Sequence, residues 1–245
     1  MTFQYSDISL NEFPGEVSLV LYSPSCNYYC PWCFNPELRE KEPLTFKQAK
    51  DAIDEHRDFI TAVVLSGGEP LFNPNIDKIL RYIQSNGLKV KINTNGTVPR
   101  YNRGIRKVHY IDYFHISLKH PDLCICIKPS QQMGLMSAKI FEYSFVYSST
   151  IFPKPLLNKW VNHLNDIINL DHWWTNFTEL RRPEIFTISQ MQTGDCLNSQ
   201  YNDCKVPTRD DLIEVAELFK HIPSQKLIIE TKEYGRENIL KEISK

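Results

Sequence analysis

Short apolar runs alternate with amphipathic stretches along most of this chain. Val17–Tyr22 is an apolar run inside a strand expected over Glu16–Ser23, followed by a polar connector, Asn35–Pro43. Thr45-Phe46-Lys47-Gln48 has the form of a capping box, in which Thr45 takes a free helix amide and Gln48 reaches back. The helix it opens is expected to run to about Arg57, with Phe46, Ala49 and Ile53 on one face. Ile60–Leu65 is continuously apolar and rich in β-branched residues, which reads as a strand buried on both faces. Asn73 is expected to cap the next helix, with Pro74 at its first position. Ile76, Ile79, Leu80 and Ile83 give that helix an apolar stripe, and Gly87 is placed to end it with positive φ. Further strands are expected over Lys89–Asn93, Tyr110–Leu118, Tyr143–Ser149, Ile185–Met191 and Leu227–Thr231. Pro153–Asn169 is amphipathic through Leu157, Trp160, Val161, Leu164 and Ile168. Thr208 caps a helix that turns Leu212, Val215, Ala216 and Phe219 inward, and Gly235–Ile243 reads as a terminal helix.

This alternation is the βα repeat of a parallel sheet, with about six units visible. Right-handed crossovers curve such a series into an open sheet or an incomplete barrel. With no linker and no low-complexity segment, residues 1–245 are expected to form one α/β domain. Two stretches break the rhythm: Asp122–Met136, and Asp171–Pro183 with Trp173, Trp174, Arg181 and Arg182. Both read as covering loops, where partner contacts concentrate.

Composition narrows the partners. The 245 residues are 42% apolar and 23% charged, with a formal net charge of −1, so nothing favours a generic nucleic-acid binder. No stretch approaches the roughly 18 apolar residues of a membrane span. Met1–Phe13 carries Asp7 and Glu12 and lacks the apolar centre of a secretory signal. Seven cysteines, an odd number, do not suit a secreted disulfide framework, and a reducing cytoplasm is the consistent compartment.

Three of those cysteines, Cys26, Cys30 and Cys33, follow the first predicted strand at spacing C-x3-C-x2-C. Three thiolates can hold a cubane iron–sulfur cluster and leave one iron open to a ligand, although zinc or a redox disulfide stays open on the triplet alone. In parallel βα folds the working face lies at the C-terminal ends of the strands. Gly67-Gly68-Glu69-Pro70 follows the second predicted strand, Asn93-Thr94-Asn95-Gly96 the third, and Ser117-Leu118-Lys119 ends the fourth. The four segments therefore fall on one rim. The glycines would let backbone approach a ligand, and Glu69 could hold a cationic amino group. Cys124, Cys126, Cys196 and Cys204 have no metal-binding spacing and read as core or loop thiols. His115 and His120 flank the end of the fourth strand and read as hydrogen-bonded structural histidines, with a role at the rim open to one of them.

The cysteine triplet, with Trp32 before its last member, followed by Gly67-Gly68-Glu69-Pro70, resembles the radical S-adenosylmethionine (SAM) superfamily. Finer similarity is to the glycyl-radical-enzyme activating proteins, especially activators of anaerobic ribonucleoside-triphosphate reductase. It is carried by Pro14-Gly15-Glu16-Val17, Tyr22–Cys26, Cys33–Leu38, Lys91–Gly96, Ser189-Gln190-Met191 and Glu230–Asn238. The resemblance implies a partial (β/α)6 barrel and a 4Fe–4S cluster on Cys26, Cys30 and Cys33. It implies SAM chelating the open iron, its amino end near Gly67, Gly68 and Glu69, its adenine near Trp32, and Asn95 among the ligand contacts. One electron from the cluster would cleave SAM to methionine and a 5′-deoxyadenosyl radical, which removes a hydrogen atom from substrate. Many activating enzymes have Asp-x-Lys where this chain has Ser117-Leu118-Lys119, which removes a carboxylate that could hold a monovalent cation. Glycine often precedes the family's first cysteine, and here it is Ser25.

The expected partners are a glycyl-radical enzyme as protein substrate and a flavodoxin or ferredoxin-type reductant. Two other functions compete: a radical SAM enzyme acting on a small molecule, like the 7-carboxy-7-deazaguanine synthases, and an iron–sulfur carrier or regulator without turnover.

Overall fold

Leu19, Val20 and Leu21 are all buried, and so are Val63, Val64 and Leu65, which is why these runs lack the alternation of a half-exposed sheet. The computed structural model describes residues 5–33, 35–96, 110–118, 137–147, 153–155, 157–158, 161–162, 185–192, 196, 199, 202–220, 224 and 226–243. Its chain divides into two compact units, Met1–Tyr29 with Asn35–His115 and Lys128–Ile140, and Cys30–Phe34 with Ile116–Ile127 and Phe141–Lys245.

In the first unit the strands lie in chain order. Strand β2 (Ser18–Ser23) pairs in parallel with β3 (Ala62–Gly67), Leu19 opposite Val63 and Ser23 opposite Gly67. Strand β4 (Lys89–Thr94) continues in parallel, Leu65 opposite Ile92, and β5 (Tyr110–Ser117) follows. Strand β3 runs two residues past its expected end because the Ser66-Gly67 backbone stays in the ladder with Tyr22 and Ser23. Strand β1 (Ser6–Ser9), which the sequence reading did not find, adds antiparallel to β2. Its short polar sequence carries no apolar period.

Helix α1 (Phe46–His56) opens with the expected capping box, both Thr45 and Gln48 bonding reciprocally. Helix α2 (Ile76–Ser85) buries Ile76, Ile79, Leu80 and Ile83, and Gly87 follows at φ 72°. Its cap is Asn75, not Asn73. Asn73 is buried in extended conformation, and its Nδ2 donates to Ser23 Oγ (2.9 Å) and Leu44 O (3.0 Å). Its side-chain carbonyl accepts from Asn75 N, so the Asn73-Pro74 pair forms a turn ahead of the helix.

Strand β6 (Ser137–Tyr147) belongs to the second unit from Phe141, and there it, β7 (Ile185–Gln190) and β8 (Lys226–Thr231) are parallel neighbours, Phe145 opposite Ile188 and Ile188 opposite Ile229. Strand β6 begins at Ser137, earlier than the expected Tyr143. Helix α3 (Arg209–Leu218) buries Leu212, Val215 and Ala216, and Phe186 stacks on Phe219 with ring centroids 5.0 Å apart. The expected helix over Gly235–Ile243 is instead β9 (Gly235–Asn238), antiparallel on β8, then a short α4 (Leu240–Ile243). Two features favour the hairpin. Gly235 turns the chain at φ 67°, and Arg236 reaches the fully buried Glu142 carboxylate at 2.6 Å. That ion pair needs Arg236 on a strand beside the sheet, where its loss would leave the buried Glu142 carboxylate without its charged partner.

Of the Pro153–Asn169 stretch, Lys154, Pro155, Leu157, Asn158, Val161 and Asn162 are helical, with Leu157 and Val161 buried. Trp160, Leu164 and Ile168 lie outside the described residues, as do Lys119, His120, Cys124, Cys126 and the two stretches Asp122–Met136 and Asp171–Pro183. Among the described residues no closed sheet forms, and no helix is long and apolar enough to cross a membrane.

At the start of α3, Thr208 Oγ1 accepts from Asp211 N, while the Asp211 carboxylate takes the Thr208 backbone N–H at 2.7 Å and its hydroxyl at 2.8 Å. Those bonds hold the Asp211 carboxyl below its ordinary value, the backbone N–H contributing most. A carboxyl lowered on folding stabilises above its unfolded pKa, and that gain is lost as pH falls through the lower folded value. Thr208→Ala is expected to cost about 1 kcal/mol in urea unfolding at neutral pH, with the difference from the parent shrinking in acid below the ordinary carboxylate range.

Candidate functional site

Past Ser23 the chain leaves β2 through Pro24 and Ser25 into the cysteine loop. Ser25 has φ 75°, the left-handed region that costs an L-residue about 1–2 kcal/mol. Its N–H donates to Leu38 O at 3.1 Å, tying the loop to the 3-10 turn over Pro36–Glu40. The loop then passes across the end of β3. Gly68 N donates to Ser23 O (3.0 Å) and Glu69 N to Ser25 O (2.8 Å). A Cβ on Gly68 would lie 2.1 Å from Ser25 O, and one on Gly67 2.8 Å from Ser23 N and O. Gly67 also has φ 111°. Gly68 is thus required by the cysteine loop's own backbone and Gly67 by the end of β2 beside it, whatever else approaches them.

Glu69 is fully buried. Its carboxylate accepts from Leu71 N at 3.0 Å, from Thr94 Oγ1 at 2.7 Å and from Asn95 N at 2.7 Å. One side chain therefore ties the end of β3 to the end of β4. The sequence suggests a carboxylate presented to a ligand's amino group, whereas here it is held by three protein donors. Asn95, half-buried, turns its Nδ2 to Asn27 Oδ1 (2.9 Å) and towards Cys26 Sγ (3.9 Å). Tyr28 N also donates to Cys26 Sγ at 3.4 Å.

Cys26, Cys30 and Cys33 are half-buried thiols. Cys26 lies with the first unit, and Cys30 and Cys33 with the second, where Cys33 N donates to Cys30 O at 3.0 Å and Trp32 is buried. Among the described residues no three His, Cys, Asp or Glu side chains already form a metal cage. The donor set nevertheless fits iron–sulfur chemistry: three thiols within eight residues, without the carboxylates that hard ions select. Tyr29, 77% exposed, covers the Arg39 guanidinium, 3.4 Å from its ring centroid. Among the described residues the two terminal nitrogens of Arg39 are buried without a hydrogen-bond partner. Cys196 and Cys204 are buried thiols, as expected of core cysteines.

A polar group in the first unit escaped the sequence reading. Asn93 Nδ2 donates to Glu12 Oε2 (3.2 Å) and Ser66 Oγ (3.4 Å), and Asn93 Oδ1 meets His115 Nδ1 at 3.2 Å. Below it the buried Lys91 donates to Glu12 O and lies over Tyr113, 4.9 Å from the ring centroid. Burial, with Asp7 and Glu12 nearby, pushes the Tyr22 hydroxyl up. Alternation along β4 places Lys91 and Asn93 on one face, a signal present in the sequence, but nothing local indicates that Glu12 reaches this face. In the second unit a cavity of about 580 Å³ opens at the C-terminal ends of β7 and β8, lined by Gln190, Thr208, Arg209, Thr231, Glu233 and Tyr234.

In the first unit the Cys26 thiol, two glycines and amide side chains thus meet at the C-terminal ends of parallel strands, where α/β enzymes bind cofactors. Residues 20–123 match the radical SAM superfamily, whose cofactors are a 4Fe–4S cluster and SAM. Over 227 residues it is 26% identical to the Methanocaldococcus jannaschii protein MJ1227, itself assigned only provisionally as a glycyl-radical enzyme activating enzyme. That match covers 87% of this chain and 89% of the other. Similarity to the 7-carboxy-7-deazaguanine synthase of Aquifex aeolicus is local: 34% identity over 89 residues, 34% of this chain and 38% of the synthase. Among solved structures, Streptococcus suis SuiB bound to SAM superposes with a TM-score of 0.54 at 20% identity, covering 86% of this chain and 50% of SuiB. The chain therefore spans about half the length of SuiB, and that likeness speaks to the fold.

The strain at Ser25 and the crowding at Gly68 act on the same loop with opposite signs. Ser25→Gly is expected to raise unfolding stability by about 0.5–1 kcal/mol, and Gly68→Ala to lower it by about 2–3 kcal/mol, both read by denaturant unfolding without cofactor.

Proposed function

We propose that residues 1–245 act as one radical SAM domain on a partial (β/α)6 barrel, and that the enzyme installs a glycyl radical in a partner protein. The observation that carries this reading is the near end-to-end match to MJ1227, which spans most of both chains. Matches to the deazaguanine synthases stop at little more than a third of either chain. SuiB, similar in fold, has been solved with its precursor peptide SuiA, which supports a macromolecular substrate as compatible with such a scaffold.

In this reading Cys26, Cys30 and Cys33 give up their protons and hold the cluster as thiolates. When bound, the cluster would supply the electron for reductive cleavage of SAM, the chemistry that would make hydrogen-atom abstraction from a glycine possible. Gly67 and Gly68 keep the loop low over the end of β3. Glu69 holds the backbone of Asn95 in place beside it. Trp32 offers a flat apolar face to the adenine. The group of Glu12, Asn93 and His115 supplies hydrogen-bond partners for a polar substrate segment. A flavodoxin or ferredoxin-type protein supplies the electron, in a reducing, cytoplasmic setting.

The test is anaerobic reconstitution with iron, sulfide, reductant and SAM, with and without candidate glycyl-radical enzymes. The expected outcome is 5′-deoxyadenosine formation, abolished in Cys26→Ala, Cys30→Ala and Cys33→Ala, and a protein-centred glycyl radical by electron paramagnetic resonance when the partner is present. Cofactor cleavage with no radical in any partner, and turnover of a pterin-like small molecule instead, would move the assignment to the synthase-like reading. Cluster assembly with no cofactor cleavage would leave an iron–sulfur carrier.

A further inference from the structure

The Asn95 side chain has a position that a ligand contact does not require. Its backbone N–H is fixed on Glu69 Oε2 at 2.7 Å, a carboxylate that is itself fully buried and bound to Leu71 N and Thr94 Oγ1. The side-chain amide is oriented by Asn27 Oδ1, which takes its Nδ2 at 2.9 Å. An amide nitrogen has two hydrogens. With one on Asn27, the other lies on the side of Cys26 Sγ, 3.9 Å away, at the long limit of an N–H···S bond. The sulfur already takes the Tyr28 backbone N–H at 3.4 Å. Cys26 is also pressed against the strand end, since a Cβ on Gly68 would lie 3.3 Å from the Cys26 Cβ. Sulfur and amide are therefore held towards each other from both sides.

We infer that Asn95 is a positioning residue for the cluster: an N–H donor to the Cys26 thiolate that sets the cluster's reduction potential. The inference rests on Cys26 being a cluster ligand. Reduction adds negative charge that is shared with the thiolate sulfurs, and a donor pointed at sulfur stabilises that state more than the oxidised one. Hydrogen bonds to sulfur are among the recognised determinants of cluster potential. The donor raises the potential, so its loss lowers it. Because Glu69 holds the main-chain N–H of Asn95, replacing the side chain leaves that anchor intact.

Asn95→Leu removes the donor and fills its space, so that water does not replace it. Asn95→Asp keeps the shape and exchanges the donor for an acceptor. Both reconstituted variants are expected to bind iron as the parent does and to show a lower midpoint potential in a redox titration followed by electron paramagnetic resonance, Asn95→Asp the lower of the two. Midpoints equal to the parent's with full iron content would overturn the inference and leave the cluster assignment standing. Loss of the cluster from both variants would overturn it as well, because a tuning donor is dispensable for assembly. If the parent chain assembles no cluster while Cys26→Ala behaves identically, the cluster reading fails and this inference falls with it.

Discussion

The rim depends on a carboxylate that water does not reach. Glu69 sits where β3 gives way to a 3-10 turn, and its oxygens gather the N–H of Leu71, the hydroxyl of Thr94 and the N–H of Asn95. Burying an ionised carboxylate is costly unless donors replace its hydration. Three donors at 2.7–3.0 Å do that, and in doing so they fix two strand ends relative to each other.

The remaining features of the first unit's rim follow from that constraint. With Glu69 turned inward, its own N–H faces the cysteine loop and donates to Ser25 O. The loop lies so low over Gly68 that no Cβ fits there. Ser25 must adopt positive φ to enter that path, and it carries strain that a glycine would not. Asn95, held by the same carboxylate, brings its amide to the side of Cys26.

Much of this was legible in the sequence, for identifiable reasons. Runs such as Val63–Leu65 bury both faces and announce themselves by continuous apolar character. Thr45 and Thr208 announce helix starts because their partners lie only three residues away. Long-range geometry was not legible. Asn73 looks like a helix cap until Leu44 and Ser23 claim its amide. Gly235–Asn238 becomes a strand because β8 offers an edge and Glu142 a buried partner for Arg236. The cysteine triplet and the Gly-Gly-Glu turn were found by spacing and order. That Gly68 serves the loop and Gly67 the end of β2, and that Glu69 faces inward, depends on contacts between segments far apart in the chain, as with Gly68 and Ser25.

The central structural claim is that Glu69 organises the rim before any cofactor arrives. Urea unfolding of the cofactor-free protein tests it directly, comparing the parent with Glu69→Gln. The substituted amide would present one acceptor oxygen and an amino group to three donors. The expected loss is about 2–4 kcal/mol of stability in the complete absence of iron and SAM. Unchanged stability in the cofactor-free state, with only SAM affinity reduced, would contradict the account and return Glu69 to the role of a simple ligand contact.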